Sequence, residues 1–382
     1  MKYKRIIFLI LIISLVFSLT SCNEIINVIS DSFLAMQSPT EEPITYVFDP
    51  YAIELTIDDI DTHSAHYVAS LQDFYTYADT CYESRHRSIF VRGDLWESFP
   101  ELEGMNRYVL KSVYKTTYSS SDADYYAIYE FEYYPGDSVV YAYKNKDTSL
   151  LSDKEKELYD LAANYIYSNI SETMSDYEKE VAIHNYICNT LVYQEKGEDD
   201  IQSYSITGAY SLLNGRANCQ GYTDAFYMFM NMLGIDCEKV SGYAEGSAHA
   251  WNVVEIDSKW YYCDVTFDDT ALGDEEYTFA YFNAPKEYFD RSHTYDDWQD
   301  LYDSTGYGYF YYSHNGAAVM DANEFKTKVY DPLAAGQTYV EVFIFTTDVK
   351  AMLDSLGELN IYMAINYCYI NGCTLLKIST QQ

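Results

Sequence analysis

The sequence predicts an α+β fold in which a helix opened by Cys219 packs on an antiparallel sheet, with an N-terminal α/β region before this core and a C-terminal strand-rich region after it. Three observations predict it. Two S-x-x-E capping boxes, Ser152-Asp153-Lys154-Glu155 and Ser175-Asp176-Tyr177-Glu178, announce successive helix starts. Asn218-Cys219-Gln220-Gly221 then precedes an apolar-periodic run closed by Gly234. Finally, Ser247 to Ile256 and Lys259 to Thr266 alternate as strands and are separated by Asp257-Ser258, the layout of a hairpin.

Taken in chain order, residues 1–21 combine Lys2, Lys4 and Arg5 with an apolar run from Ile6 to about Phe17. The run is too short for a comfortable membrane span and has the layout of a secretory signal. Leu19-Thr20-Ser21-Cys22 resembles a bacterial lipobox, so Cys22 is the expected lipidation site and mature N-terminus. Residues 22–44 contain Ser38-Pro39-Thr40-Glu41-Glu42-Pro43 and read as a tether. The expected location is the extracytoplasmic face of the cell membrane, with membrane contact through the lipid anchor alone.

Residues 45–147 are read as a small α/β domain, in which Tyr125–Tyr134 and Ser138–Tyr143 form a β-hairpin around Pro135-Gly136. Residues 148–290 form the core. Its second capped helix carries a stripe of Tyr177, Val181, His184, Cys188 and Leu191, which makes His184 a hydrogen-bonded core histidine. Residues 291–382 read as strand-rich, with one helical stretch near 347–356 and a hairpin at Asn371-Gly372 that leaves Cys368 opposite Leu375. Cys368 and Cys373 are then diagonal neighbours, a poor disulfide geometry.

Composition limits the function classes. The formal net charge of −35 repels phosphate backbones, so no nucleic-acid partner is expected. A hydrophobic fraction of 48% supplies enough apolar surface for a packed core and excludes a disordered chain.

The chemistry centres on Cys219. Tyr222, Phe226, Phe229 and Leu233 share one face with it at steps of three and four, so the thiol stands at a helix N-terminus on the inward side. Backbone N–H groups and the helix dipole at such a position favour a thiolate and later an oxyanion. Cys188 and Cys263, by contrast, read as inert packing. If Ile256 pairs with Lys259, then Trp251 faces Asp264 and His249 faces Thr266. His249 and Asp264 consequently project from one sheet face within hydrogen-bonding reach. Cys219 as nucleophile, His249 as base and Asp264 as orienting acid compose a thiol acyl-transfer site. Gln220, Tyr204 and Tyr210 are open as second oxyanion donors, and no substrate-binding residue is assigned.

At these residues the sequence resembles the transglutaminase-like superfamily. The stretches that carry the resemblance are Asp176–Lys179, His184–Ile187, Asn214–Tyr222, Leu233–Ile235, Val240–Tyr243, His249–Val254 and Trp260–Thr266, in the family's order and spacing. The resemblance covers roughly residues 150–290. It implies a papain-like transglutaminase core and assigns the same three roles to Cys219, His249 and Asp264. Animal transglutaminases depend on calcium, but Asp268, Asp269, Asp274, Glu275 and Glu276 lack EF-hand spacing and read as a solvated loop. No metal or cofactor is expected. The expected substrate is a peptide or protein at the cell envelope, with hydrolysis favoured over amine transfer. The alternative is a non-catalytic envelope binding module on the same core.

Overall fold

The computed structural model describes residues 65–380 apart from 87, 95–108, 118–124, 195–203, 273–275, 296–301, 303 and 305. The signal sequence, Cys22, the tether and the start of the expected N-terminal domain lie outside the described residues. The chain divides into two compact units, residues 1–105 with 110–131, and residues 106–109 with 132–382.

In the first unit, strands β1 (His66–Tyr67), β2 (Ser88–Gly93), β3 (Val109–Thr117) and β4 (Tyr125–Glu132) form one sheet in the order β1-β2-β4-β3. Helix α1 (Leu71–Glu83) starts at Ser70, whose hydroxyl accepts the Asp73 N–H at 3.2 Å. It buries Phe74, Ala78 and Cys81, spaced four and three residues apart along one face. Phe74 meets Tyr129 of β4 edge to face at 4.8 Å.

The second unit opens with a departure from the expected hairpin. Residues Pro135–Asn145 are a helix, α2, and not the second strand of a hairpin. Proline at the first helical turn loses no hydrogen bond there, because the first N–H groups of a helix have no internal acceptor. The decisive force is tertiary. Val139, Val140 and Ala142 are buried, and the Gly136 N–H donates to Asp224 Oδ2 at 3.0 Å. Lys239 Nζ then lies 3.0 Å from Asp137 and 3.1 Å from Asp224. This helix therefore belongs to the same unit as residues 148–290 and not to the N-terminal region.

Helices α3 (Asp153–Asn169) and α4 (Asp176–Thr190) both begin with complete capping boxes, at Ser152/Glu155 and Ser175/Glu178. Helix α5 (Cys219–Met232) is central. Besides Tyr222, Phe226 and Phe229, it buries Ala225, Met228, Met230 and Met232, so it is apolar nearly all round and not on one stripe alone. Helices α2 and α4 and the strands Cys237–Ala244 and Ser247–Ile256 pack around it.

After a two-stranded parallel pair, β5 (Val192–Tyr193) with β6 (Arg216–Ala217), come β7 (Cys237–Ala244), β8 (Ser247–Ile256) and β9 (Lys259–Cys263). With β10 (His293–Tyr295) they make an antiparallel sheet in the order β10-β7-β8-β9. Asp257 and Ser258 have φ of 54° and 59°, a left-handed two-residue turn, and Ile256 pairs with Lys259 as the alternation predicts. The second strand ends earlier than expected. It stops at Cys263, and Val265–Thr270 form a short helix, α6, so Thr266 does not face His249.

The C-terminal region contributes a second sheet from β11 (Ala318–Val319), β12 (Tyr339–Ile344), β13 (Met363–Ile370) and β14 (Cys373–Thr380), in the order β11-β12-β14-β13. Ile370 pairs with Cys373 and Cys368 with Leu375 around Asn371-Gly372, as expected. Helix α7 (Lys350–Leu356) matches the expected helical stretch, while the helical turns between residues 322 and 334 were not anticipated. Their burial of Phe325, Val329 and Leu333 against β12 and β14 accounts for them. All seven described cysteines are free thiols.

The Lys239 network gives a stability prediction. Lys239→Met leaves two buried carboxylates facing each other without a cation, and should lower the unfolding free energy by about 3 kcal/mol. Guanidinium denaturation of the two chains measures it. Lys350→Met, which cuts an exposed pair with Asp354, should leave the midpoint nearly unmoved.

Candidate active site

The start of α5 is fixed from two directions. Asn218 caps it, its side-chain oxygen accepting the Gly221 N–H at 3.2 Å, while the Asn218 N–H donates to Ile206 O at 3.0 Å. Gly221 is required by close approach: a Cβ there would stand 2.2 Å from Ile206 O. Cys219 is the first helical residue and is half-buried. The first backbone bonds of the helix run from the Gly221 and Tyr222 N–H groups to Asn218 O at 2.9 and 3.1 Å, so the N–H groups of Cys219 and Gln220 have no acceptor within the helix.

Strand β8 is tied to this helix by Asn252, whose side-chain NH2 donates to Thr223 O at 3.1 Å and to Glu238 O at 3.3 Å. Three residues earlier on the strand, His249 projects beside Phe267 at a ring distance of 4.7 Å. Its Nε2–H donates to Asp264 Oδ2 at 2.7 Å, and the Cys219 side chain also acts on the ring, favouring its protonated form. With Nε2 engaged by the carboxylate, Nδ1 is the nitrogen available to the sulfur.

Asp264 is placed by the chain's exit from β9. Its N–H donates to Tyr281 O at 3.2 Å, and its Oδ1 accepts the Phe267 N–H at 3.0 Å as the N-cap of α6. The expected register therefore brings His249 and Asp264 together, but through a helix cap and not through a continuing strand.

His293 was missed in the sequence. Its Nε2 lies 3.1 Å from the same Asp264 Oδ2, its Nδ1 lies 2.9 Å from Ser292 Oγ, and its ring stacks on Phe289 at 3.8 Å. Pairing of β10 with β7 puts it there, and Gly242 permits the approach, since a Cβ would stand 2.1 Å from Thr294 O. No local motif announces such a residue. Its only sequence signal is one histidine in a short segment after the core.

The electrostatics of the pair follow from burial and charge. Burial alone would lower the His249 pKa, but the Asp264 carboxylate, its hydrogen bond and the Cys219 side chain outweigh it and push the imidazole up to about 10. Burial likewise opposes ionisation of Asp264, yet His249 and His293 hold its carboxyl well below the usual carboxylate range. His249 is then an imidazolium at neutral pH, a cation that can give a proton within the site.

The other predicted residues lie elsewhere. His184 is fully buried, 3.1 Å from Asp268 and stacked on Phe279, in keeping with a core histidine. Asp268 does not belong to a solvated loop as expected. It is fully buried, accepting the Thr278 hydroxyl and the Tyr281 N–H at 2.9 Å each, because α6 turns it inward onto His184. Tyr210 is buried in the core and Tyr204 packs edge to face on Tyr134, while Gln220 is half-buried beside Cys219.

His249, Asp264 and His293 place possible metal-ligand atoms within 4.8 Å of one another. The 2.7 and 3.1 Å separations are those of hydrogen bonds, however, and a metal would have to displace both ring hydrogens. A cleft of about 680 Å³, lined by Tyr243, Tyr281, Arg291, His293 and Asn371 among others, opens beside His293 and not at Cys219.

The His249 shift has a consequence for stability. A folded-state pKa raised above the ordinary 6.5 contributes stabilisation that is complete below that value and disappears as pH rises through about 10. The unfolding free energy should therefore fall more steeply from neutral to alkaline pH than that of His249→Ala, by roughly 1.4 kcal/mol per pH unit. Denaturant titrations across this range check it, and parallel curves for the two chains would contradict the assigned shift.

Comparison with known proteins places this core. The transglutaminase-like superfamily model matches residues 162–265. The chain is 29% identical over 130 residues to the mouse (Mus musculus) kyphoscoliosis peptidase, covering 29% of this chain and 19% of that protein. It is 27% identical over 128 residues to the human (Homo sapiens) protein of the same name, with the same coverage. The chain thus spans about a fifth of the length of the curated relatives it matches. A solved structure of a TGase aligns over 53% of this chain and 59% of its own, at 18% identity and a TM-score of 0.27. Residues 162–265, which contain Cys219, His249 and Asp264, are a transglutaminase-like superfamily domain of mixed helix and sheet.

Proposed function

We propose that this protein is a cell-surface lipoprotein, anchored through Cys22, whose Cys219, His249 and Asp264 form a thiol acyl-transfer site acting on amide bonds of peptides or proteins, with hydrolysis favoured over transfer to an amine. One observation carries the reading: a buried carboxylate holds the His249 imidazole at 2.7 Å, and the half-buried Cys219 thiol at the start of a helix adds to the pull that keeps this ring protonated.

In this reading the Cys219 sulfur attacks the carbonyl carbon, and the oxygen takes the negative charge. The backbone N–H groups at the start of α5 would serve as donors to that charge. The His249 imidazolium gives its proton to the departing amine as the C–N bond breaks, which leaves a thioester on Cys219. Water then attacks the thioester, His249 takes a proton from it, and the carboxylic acid leaves as the sulfur is released. Asp264 accepts from Nε2 throughout and so keeps Nδ1 toward the sulfur. An amine in place of water in the second half would give cross-linking by the same steps. Exposure to solvent at a cell surface and the peptidase name of the relatives support water as the acceptor.

The test has two parts. Alkylation of Cys219 at neutral pH should be at least about tenfold faster than that of an unperturbed thiol, and His249→Ala should remove the excess. Incubation with a glutamine-containing peptide, with and without a primary amine, then separates hydrolysis from transfer by product mass, and Cys219→Ala should abolish either. An ordinary rate that is indifferent to His249→Ala, with no mass change, would leave a binding module in place of an enzyme.

A further inference from the structure

We propose that His293 is a positioning residue of the thiol site, the second imidazole that holds Asp264 ionised and aims its Oδ2 at His249. The inference rests on the thiol-site reading above and adds to it a residue from outside the matched segment 162–265.

The geometry is that of a saturated carboxylate. Asp264 is fully buried, and its two oxygens receive donors from three separate elements: Phe267 N–H on Oδ1, and the Nε2 atoms of His249 and His293 on Oδ2 at 2.7 and 3.1 Å. An ionised carboxylate only accepts, so both rings present Nε2–H to it. That requirement sets the His293 tautomer, and its Nδ1 then accepts the Ser292 hydroxyl at 2.9 Å. The ring has little freedom to leave. It stacks on Phe289, and Trp251 and Tyr281 meet it edge to face at 4.9 and 5.7 Å.

Without His293 the buried carboxylate would keep the Phe267 N–H on Oδ1 and His249 on Oδ2, and would lose one of the three donors that offset its desolvation. As the second donor on Oδ2, His293 offsets part of that cost and fixes the oxygen against which His249 is oriented. No hydrogen bond joins His293 to Cys219 among those described, so its action runs through Asp264.

The titratable groups facing this carboxylate and its neighbours are His249 on β8, Cys219 on α5, Cys263 on β9, Tyr281, and Asp268 on α6, with Glu245 facing Tyr281. Burial pushes the Cys263 thiol and the Tyr281 hydroxyl upward, so neither changes charge in acid. Asp268 is common to every variant below.

The test follows the pH dependence of Cys219 alkylation in the full chain, with iodoacetamide as probe and the Cys219 peptide quantified by mass. His293→Phe keeps the stacking and removes the donor. Asp264 then returns toward the ordinary carboxylate range, its protonation occurs at higher pH, and the acid-side midpoint of reactivity should move up by about one pH unit. His293→Gln, which retains an N–H donor, should restore the midpoint to within about 0.3 unit. A fast wild-type thiol whose midpoint is unmoved by His293→Phe, or moved equally by His293→Gln, overturns this proposal alone. A wild-type thiol of ordinary reactivity overturns it together with the thiol-site reading. If His293→Phe fails to fold, nitrogen-15 histidine spectra of the unaltered chain decide: the Nε2–H tautomer at His293 supports the proposal, and Nδ1–H overturns it.

Discussion

The arrangement of this core depends on the burial of one carboxylate. Asp264 ends β9, starts α6 and receives two imidazoles, all with a fully buried side chain. A charge taken out of water must be met by donors of good geometry, and each donor here arrives from a different stretch of chain. The strand ends where it does because the aspartate is worth more as a helix cap and an imidazole partner than as one further rung of the ladder. This constraint sets the orientation of His249, and through it the relation of ring to thiol.

The thiol's own position is a matter of packing. Helix α5 is enclosed by α2, α4, β7 and β8, so its N-terminus has little room to shift against the sheet. Asn252 pins β8 to the helix backbone, and Gly221 lets the segment at Ile206 close over the first turn. Lys239 performs a comparable service at Asp137 and Asp224, joining α2, α5 and β7 through a cation that two buried acids share. A side chain at Gly221 would intrude on this enclosure from within.

The same domain holds a second grouping of the same residue types. Cys188 Sγ lies 3.9 Å from the His184 ring nitrogens, and His184 lies 3.1 Å from Asp268. Its environment differs in every respect that matters for chemistry. Cys188 sits inside a helix and not at its start, burial pushes its thiol well up, and the histidine and aspartate are fully enclosed. Residue identity is thus insufficient for the proposed reaction. Access and a helix terminus separate Cys219 from Cys188.

The chain's local patterns were sufficient for the parts of this architecture that short-range physics controls. Both capping boxes, the Asp257-Ser258 and Asn371-Gly372 turns, the Ile256–Lys259 register and the helix start at Cys219 are properties of a few neighbouring residues. A cap or a two-residue turn closes its own hydrogen bonds, and so it can be read from sequence. The tertiary structure alone decided the rest. It made a helix of Pro135–Asn145, since the reward is burial against α5 and the contact of Asp137 with Lys239, residues far apart in the chain. It turned Asp268 from an apparent surface acid into the partner of His184. It also brought His293 to Asp264 by pairing β10 with β7, and no pattern around a lone histidine encodes which distant strand it will lie beside.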